Sequence, residues 1–325
     1  MPDLYPLRLV PDFRERVWGT RDLGPIYSSP PGDQPIGEVW LTGDDCRVSN
    51  GPLAGRTLGE LCREFGRDLV GKAARHSDRF PLLIKFLFPE DKLSVQVHPD
   101  DEAARSAGLP CGKSECWYVL AARRGAKIGL GLKPGITRPG FEQAIRDGRA
   151  DELLHWVEVH RGEMIYSPAG TVHAIGPGVV LVETQQNSDT TYRLYDYGRG
   201  RELHVAEGLG AMRETRAGKV ERMGDDDMAR LIASPHFAVD KQATRGTWFR
   251  ESAPEWSSVE VLVGLDGGGL VETGGGHTTV FSRGEVVVIP AAVKQFTLKP
   301  QGEIEFLAVT LPERGRAAPE PKTYL

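Results

Sequence analysis

The chain has 325 residues, with 40 Lys and Arg against 45 Asp and Glu and a formal net charge of −5. That length is ample for one large or two medium domains with a buried core, and the absence of a basic surplus excludes a role that rests on neutralising a phosphate backbone. No apolar run approaches the ~20 residues that span a bilayer, and the start MPDLYPLRLVPDFRERVWG, with acids among its residues and only a short apolar stretch, does not read as a signal peptide; the composition predicts a cytoplasmic globular protein with neither nucleic acid nor membrane as partner.

Taken in chain order, TLGELCREF (57–65) reads as a helix, LSVQVH (93–98) as a strand, and PDDEAARSAG (99–108) as a helix whose Pro and acidic residues suit its first turn. ECWYVL (115–120) is a strand, PGFEQAIRDG (139–148) a helix, and GVVLVETQQ (178–186), SVEVLVGL (258–265) and EVVVIP (285–290) are further strands rich in branched side chains. Strands and helices do not alternate regularly, so the balance is mainly β rather than a doubly wound parallel sheet. Cys46, Cys62, Cys111 and Cys116 are too few and too irregular for a disulfide framework and read as free thiols.

One repeat stands out. RGEMIYSPAG begins at Arg161 and RGEVVVIPAA at Arg283, each a glycine turn, a short strand and a proline that ends the ladder. Two related β-barrel or β-sandwich modules are expected, with His173 and Gln295 at matching places twelve residues beyond each start. A charged stretch at 213–230, including a DDD run, reads as the connection between them.

Candidate chemistry follows from strand alternation. In LSVQVHPDD, Leu93, Val95 and Val97 point one way, and Ser94, Gln96 and His98 the other. In GKSECWYVL, Lys113, Glu115 and Trp117 share a face among apolar neighbours, where a buried acid needs a metal or a cation. His173, after the Pro-Ala-Gly of SPAGTVHAIG, sits at a strand corner aimed at a barrel mouth. Two imidazoles, one carboxylate and the Gln96 amide suit Zn2+ with room for water or substrate, and the same set equally admits Fe(II). Downstream, VETQQNSDTTYRLYDYGR reads as a hairpin with its turn at NSD; Glu183 and Gln185 share a face, and Arg193 offers a cation for an anionic substrate. The remaining histidines, His76, His155, His160, His204, His236 and His277, acquire no partners from the sequence.

Taken together, RVWG, NGPLAG, PLLIKFL, DKLSVQVHPDDE, GKSECWYVL, SPAGTVHAIG, QQNSDTTYRLYDYG and RELH resemble, in order and spacing to about residue 210, the class I mannose-6-phosphate isomerases in their short bacterial form. The resemblance implies a mainly β fold: a cupin-type jelly-roll barrel with helical insertions over 1–240, and a smaller cupin-like β domain without metal ligands over 241–325. It implies one zinc ion per chain on Gln96, His98, Glu115 and His173, with Arg193 as the catalytic arginine. Lys113 and Glu183 then become candidates for proton transfer, and Lys85 and Ser94 for binding a sugar phosphate. The implied reaction interconverts mannose 6-phosphate and fructose 6-phosphate through an enediol. An Fe(II) cupin oxygenase and a non-catalytic sugar-phosphate-binding module are the competing readings.

Overall fold

The protein, seen as a computed structural model, is described over residues 3–214, 219–221, 228–251 and 257–312. Its short β runs, punctuated by glycine and proline, close into four antiparallel sheets that stack in pairs. The first pair faces a five-stranded sheet, in spatial order Tyr192–Tyr195, Val95–Val97, His173–Ile175, Lys127–Leu132 and Leu154–Glu158, against a seven-stranded one. The seven-stranded sheet runs Lys219–Glu221, Met164–Ser167, Glu115–Ala122, Val179–Gln186, Leu82–Leu87, Ile36–Trp40 and Asp12–Thr20. This mainly β double sheet is the expected jelly-roll barrel.

Side-chain alternation sorts the cores. Trp117, Val119, Ile165 and Leu181 point into the barrel, while Cys116, Tyr118, Met164, Tyr166 and Val182 point outward into a larger cluster shared with the second module. The three expected helices form, each with a side-chain cap. Thr57 and Glu60 form a reciprocal capping box that starts Leu58–Phe65, Asp100 caps Asp101–Ser106, and Thr137 with Pro139 opens Arg138–Arg146.

The strand Val95–Val97 shows why its polar face is informative. Val95 and Val97 pack outward against Phe141, Ile145 and Leu209, which belong to the helices Arg138–Arg146 and Val205–Ala211. The opposite face, with Gln96 and then His98, is therefore turned into the barrel and not to solvent. Leu93 departs from the expected alternation: the strand begins only at Val95, and Leu93 joins the inner cluster with Trp117 and Ile175. The expected hairpin at NSD is likewise absent. Val179–Gln186 and Tyr192–Tyr195 belong to different sheets, so the intervening segment carries the chain across the barrel.

The second module pairs Leu7–Arg8, Val286–Ile289, Glu260–Asp266, Ile304–Thr310, Ala238–Thr244 and Met228–Ala233 against Trp248–Glu251, Gln295–Pro300, Gly268–Thr273 and Thr278–Ser282. A division at 240–241 falls inside Ala238–Thr244, and the chain's first strand joins this module's sheet. The connection expected at 213–230 lies largely outside the described residues.

The two modules share a register. Glu115 stands opposite Ser167, and Glu260 opposite Ile289; each partner lies six residues beyond its RGE start. Glu260 thus holds in the second module the place of Glu115 in the first. There it is buried, and Arg250 Nε reaches its Oε2 at 3.1 Å. Gln295 lies exposed and donates to Glu251 at 2.8 Å, while Leu262, Val271, Phe281, Phe296 and Phe306 fill the interior. A guanidinium thus meets the Glu260 carboxylate, and apolar side chains occupy the interior.

Arg250→Met should therefore destabilise the protein by roughly 2 kcal/mol, because it strands the Glu260 carboxylate; the figure is below that for a fully buried pair since Arg250 is partly exposed. Urea unfolding should show most of the loss recovered in the double variant Arg250→Met/Glu260→Leu.

Candidate active site

Cross-strand pairing builds the site from two facing rows. On the five-stranded sheet, Gln96 pairs with His173 on one side and with Arg193 on the other. On the seven-stranded sheet, Trp117, Glu183, Lys85 and Trp40 stand in line across four strands, and Glu115 begins the strand that carries Trp117. The space between the rows is a cleft of about 290 Å3. Lys85, Ser94, Gln96, Lys113, Glu183 and Arg193, all named from the sequence, line it.

His98, Glu115 and His173 form a buried cluster at the cleft floor, with their ligand atoms within 4.8 Å of one another. His98 Nδ1 faces the Thr190 carbonyl and His173 Nδ1 the Thr171 carbonyl, each at 2.9 Å. A carbonyl only accepts, so each Nδ1 carries the proton and each Nε2 presents a lone pair. Both Nε2 atoms converge on Glu115 Oε1, at 3.4 Å from His98 and 3.0 Å from His173. Two lone pairs aimed at a carboxylate oxygen repel unless a cation lies between them. His98 Nε2 and both Glu115 oxygens indeed lack a hydrogen bond of good geometry. The Gln96 amide lies 3.1 Å from His173 Nε2, and half a turn of that amide presents its oxygen to the same point. Two neutral nitrogens, one carboxylate and one amide oxygen fit a divalent metal.

Electrostatics keep these groups in the forms a metal needs. Burial, and then the Lys113 ammonium, holds the His98 imidazole neutral down to about 3. Burial alone would raise Glu115, but the Lys113 ammonium overcomes it and holds the carboxyl well below its usual range. Lys113 Nζ sits 3.1 Å from Glu115 Oε2, and the carboxylates of Glu115, Glu183 and Asp189 outweigh its burial to raise it above the ordinary lysine value. Glu183 behaves differently. Burial raises its carboxyl above the ordinary range, although Lys85 at 3.3 Å and the Trp117 indole N–H at 2.9 Å favour the ionised form. Ser94 donates to the Gln96 oxygen at 3.2 Å as the amide stands, and after the half turn the same hydroxyl accepts from the amide N–H.

Arg193 donates through Nη1 to the Glu202 carbonyl at 2.7 Å, while its buried Nε has no partner. Burial and the neighbouring Arg201 guanidinium lower its pKa. Arg16, Trp18, Glu38, Asp189 and Arg201 also line the cleft, and no sequence argument singled them out. Arg16 and Trp18 lie in RVWG and Arg201 in RELH, but nothing in those short stretches tells which side chains turn inward. Asp196 grips Arg201 through both carboxylate oxygens, at 2.8 and 2.5 Å. The result is a cationic mouth above a metal-capable floor. A separate cavity of about 310 Å3, with His76 and His236 in its wall, holds none of this cluster.

Residues 7–122 match the family described as phosphomannose isomerase type I, catalytic domain. The chain is 36% identical over 315 residues to the mannose-6-phosphate isomerase ManA of Bacillus subtilis, covering 92% of this chain and 97% of that one. It is 32% identical to the mannose-6-phosphate isomerase of Streptococcus mutans, over 93% of this chain and 97% of the relative. The crystal structure of the mannose 6-phosphate isomerase from Bacillus subtilis superposes with a TM-score of 0.82 at 30% identity, covering 94% of this chain and 99% of that one.

Replacing Glu115 by Gln keeps the shape but removes the cluster's anion. Its affinity for a divalent metal, measured by chelator competition, should fall by more than the roughly 10–100-fold typical when only a hydrogen-bond partner of a ligand is lost.

Proposed function

Because the chain belongs to the type I phosphomannose isomerase family, we propose that this cleft interconverts mannose 6-phosphate and fructose 6-phosphate by moving a proton between C1 and C2. The observation that supports this reading most directly is a cleft lined by a carboxyl with a raised pKa and several guanidiniums, next to the buried His98–Glu115–His173 cluster that its Gln96 and Lys113 touch. In this reading Gln96, His98, Glu115 and His173 hold a zinc ion, one per chain. Bound there, zinc supplies Lewis-acid polarisation of the sugar oxygens.

The protein's own groups supply the rest. Glu183 is the base: a carboxylate whose pKa is raised toward the working range takes a proton from carbon more effectively than an ordinary one. It removes the C2 proton of the open-chain aldose, the electrons of that bond form the C1–C2 double bond while O1 takes up the charge, and the same proton is then returned at C1 as the O2 hydroxyl proton passes to O1 and C2–O2 becomes the ketone carbonyl. Arg193 faces the oxygen on which negative charge grows, and its unpartnered Nε is free to donate there. Lys113 stays protonated beside Glu115 and acts as a hydrogen-bond donor. Lys85 and Ser94 bind the substrate from the cleft wall, with Arg201 and Arg16 at the mouth suited to the phosphate dianion. The four free cysteines support a reducing, cytoplasmic setting. The cationic lining favours an anionic sugar over the substrates of an Fe(II) oxygenase, and an intact set of acid, base and arginine argues for turnover over binding alone.

Purified protein should convert mannose 6-phosphate to fructose 6-phosphate, lose activity on chelation and regain it with Zn2+. Arg193→Ala should lower kcat by on the order of 10²–10³. A folded, zinc-loaded protein without turnover overturns the reading.

Glu183 must be ionised to act, so activity is lost as pH falls through its raised pKa, earlier than for an exposed glutamate. Trp117→Phe removes a hydrogen bond that favours the ionised form, which raises that pKa further. The acid limb of kcat/KM should move to higher pH by about one unit.

A further inference from the structure

All three cluster residues stand at the ends of strands. His98 lies one residue beyond Val95–Val97, and Glu115 and His173 are the first residues of theirs. Pairing fixes Glu115 opposite Ser167 and His173 opposite Gln96, and one chain of hydrogen bonds ties together the loops that lead into these residues. Asp101 Oδ1 accepts from the Gly112 N–H and from Gln186 Nε2, each at 2.9 Å. Gln186 Oε1 accepts from the Ser114 N–H at 2.9 Å, and Ser114 Oγ accepts from the Ala169 N–H at 3.1 Å. The Gly170 N–H then donates to the His98 carbonyl at 2.9 Å. Gly112 is required for the approach: a Cβ there would lie 2.5 Å from the Asp100 carbonyl carbon.

We propose that Gln186 and Ser114 are positioning residues of the metal centre, which set Glu115 against His173 and His98 without being ligands themselves. Gln186 spans the loop before Glu115 and the start of the helix that follows His98. Ser114 links the Glu115 loop to the one that carries His173. Both side chains are buried, and Gln186 also borders the separate cavity of about 310 Å3. The inference rests on the metal reading above.

The test uses Co2+ as the probe, with affinity from competition against a chromophoric chelator and the visible absorption of the bound ion as a report on ligand geometry. Gln186→Leu and Ser114→Ala should each bind Co2+ roughly 10–100-fold more weakly than the parent, with a shifted spectrum. The double variant should lose less than the product of the two, since both act through one chain of bonds. Tyr27→Phe, which removes a 2.6 Å bond to the Gly284 carbonyl elsewhere in the molecule, should lower the Tm and leave affinity and spectrum unchanged. Should Gln186→Leu not fold, Ser114→Ala carries the test. Parent affinity and spectrum in the variants overturn the inference, as does a loss of affinity that merely tracks Tm and appears in Tyr27→Phe too. A parent that takes up no Co2+ overturns the metal reading as well and is recognised on the parent alone.

Discussion

A carboxylate without water is the constraint around which this barrel is organised. Glu115 is fully buried, and an ionised acid in that position is tolerated only when charges and dipoles replace the solvent it has lost. Lys113 supplies one compensating charge at 3.1 Å, and two imidazoles aim lone pairs at the remaining oxygen. That arrangement is incomplete without a further cation, so the same burial that makes Glu115 costly also suits the site to a metal. The neutral His98 belongs to this logic. Burial and Lys113 together strip its proton, leaving it ready to ligate.

Around that centre the two sheets divide the labour. The five-stranded sheet contributes neutral ligands and Arg193. The seven-stranded sheet contributes the acids and lysines, in a row where each charged group meets an opposite charge or an aromatic face. Lys85 lies 3.3 Å from Glu183 and 4.8 Å from the centre of the Trp40 ring. Such pairing lets several ionised groups share one dry space. It also separates two neighbouring glutamates: Glu115 beside the Lys113 ammonium stays ionised, whereas burial dominates at Glu183 and raises its carboxyl above the ordinary range.

The second module repeats the architecture and not the chemistry. Glu260 occupies the place of Glu115, yet Arg250 satisfies it from within the chain and aromatic side chains close the interior. A guanidinium cannot be exchanged with solvent, so the pair gives a packed structural unit where the first module has an open cleft. The strand Leu7–Arg8, from the start of the chain, pairs with Val286–Ile289 and fastens that unit to the catalytic barrel.

Much of this was legible in the residues themselves. Period-two alternation identified the face bearing Gln96 and His98, because alternation follows from the strand backbone alone and survives any tertiary arrangement. The RGE repeat announced two related modules, and the helices at 57–65, 99–108 and 139–148 were legible from their local patterns, the second with Pro and acidic residues in its first turn. Local rules failed where distant partners decide. Leu93 follows no strand alternation because the ladder has not yet begun there, and the NSD segment crosses between sheets instead of folding back on itself. Arg16, Trp18, Glu38, Asp189 and Arg201 became cleft residues only when strands far apart in sequence were brought together. The sequence by itself determined which side chains share a strand face and which chemical types are present, since those depend on covalent order and backbone geometry. Only the tertiary structure decided which charges meet and which lose their water, because solvation and pairing energies depend on distances that exist after the sheets have closed.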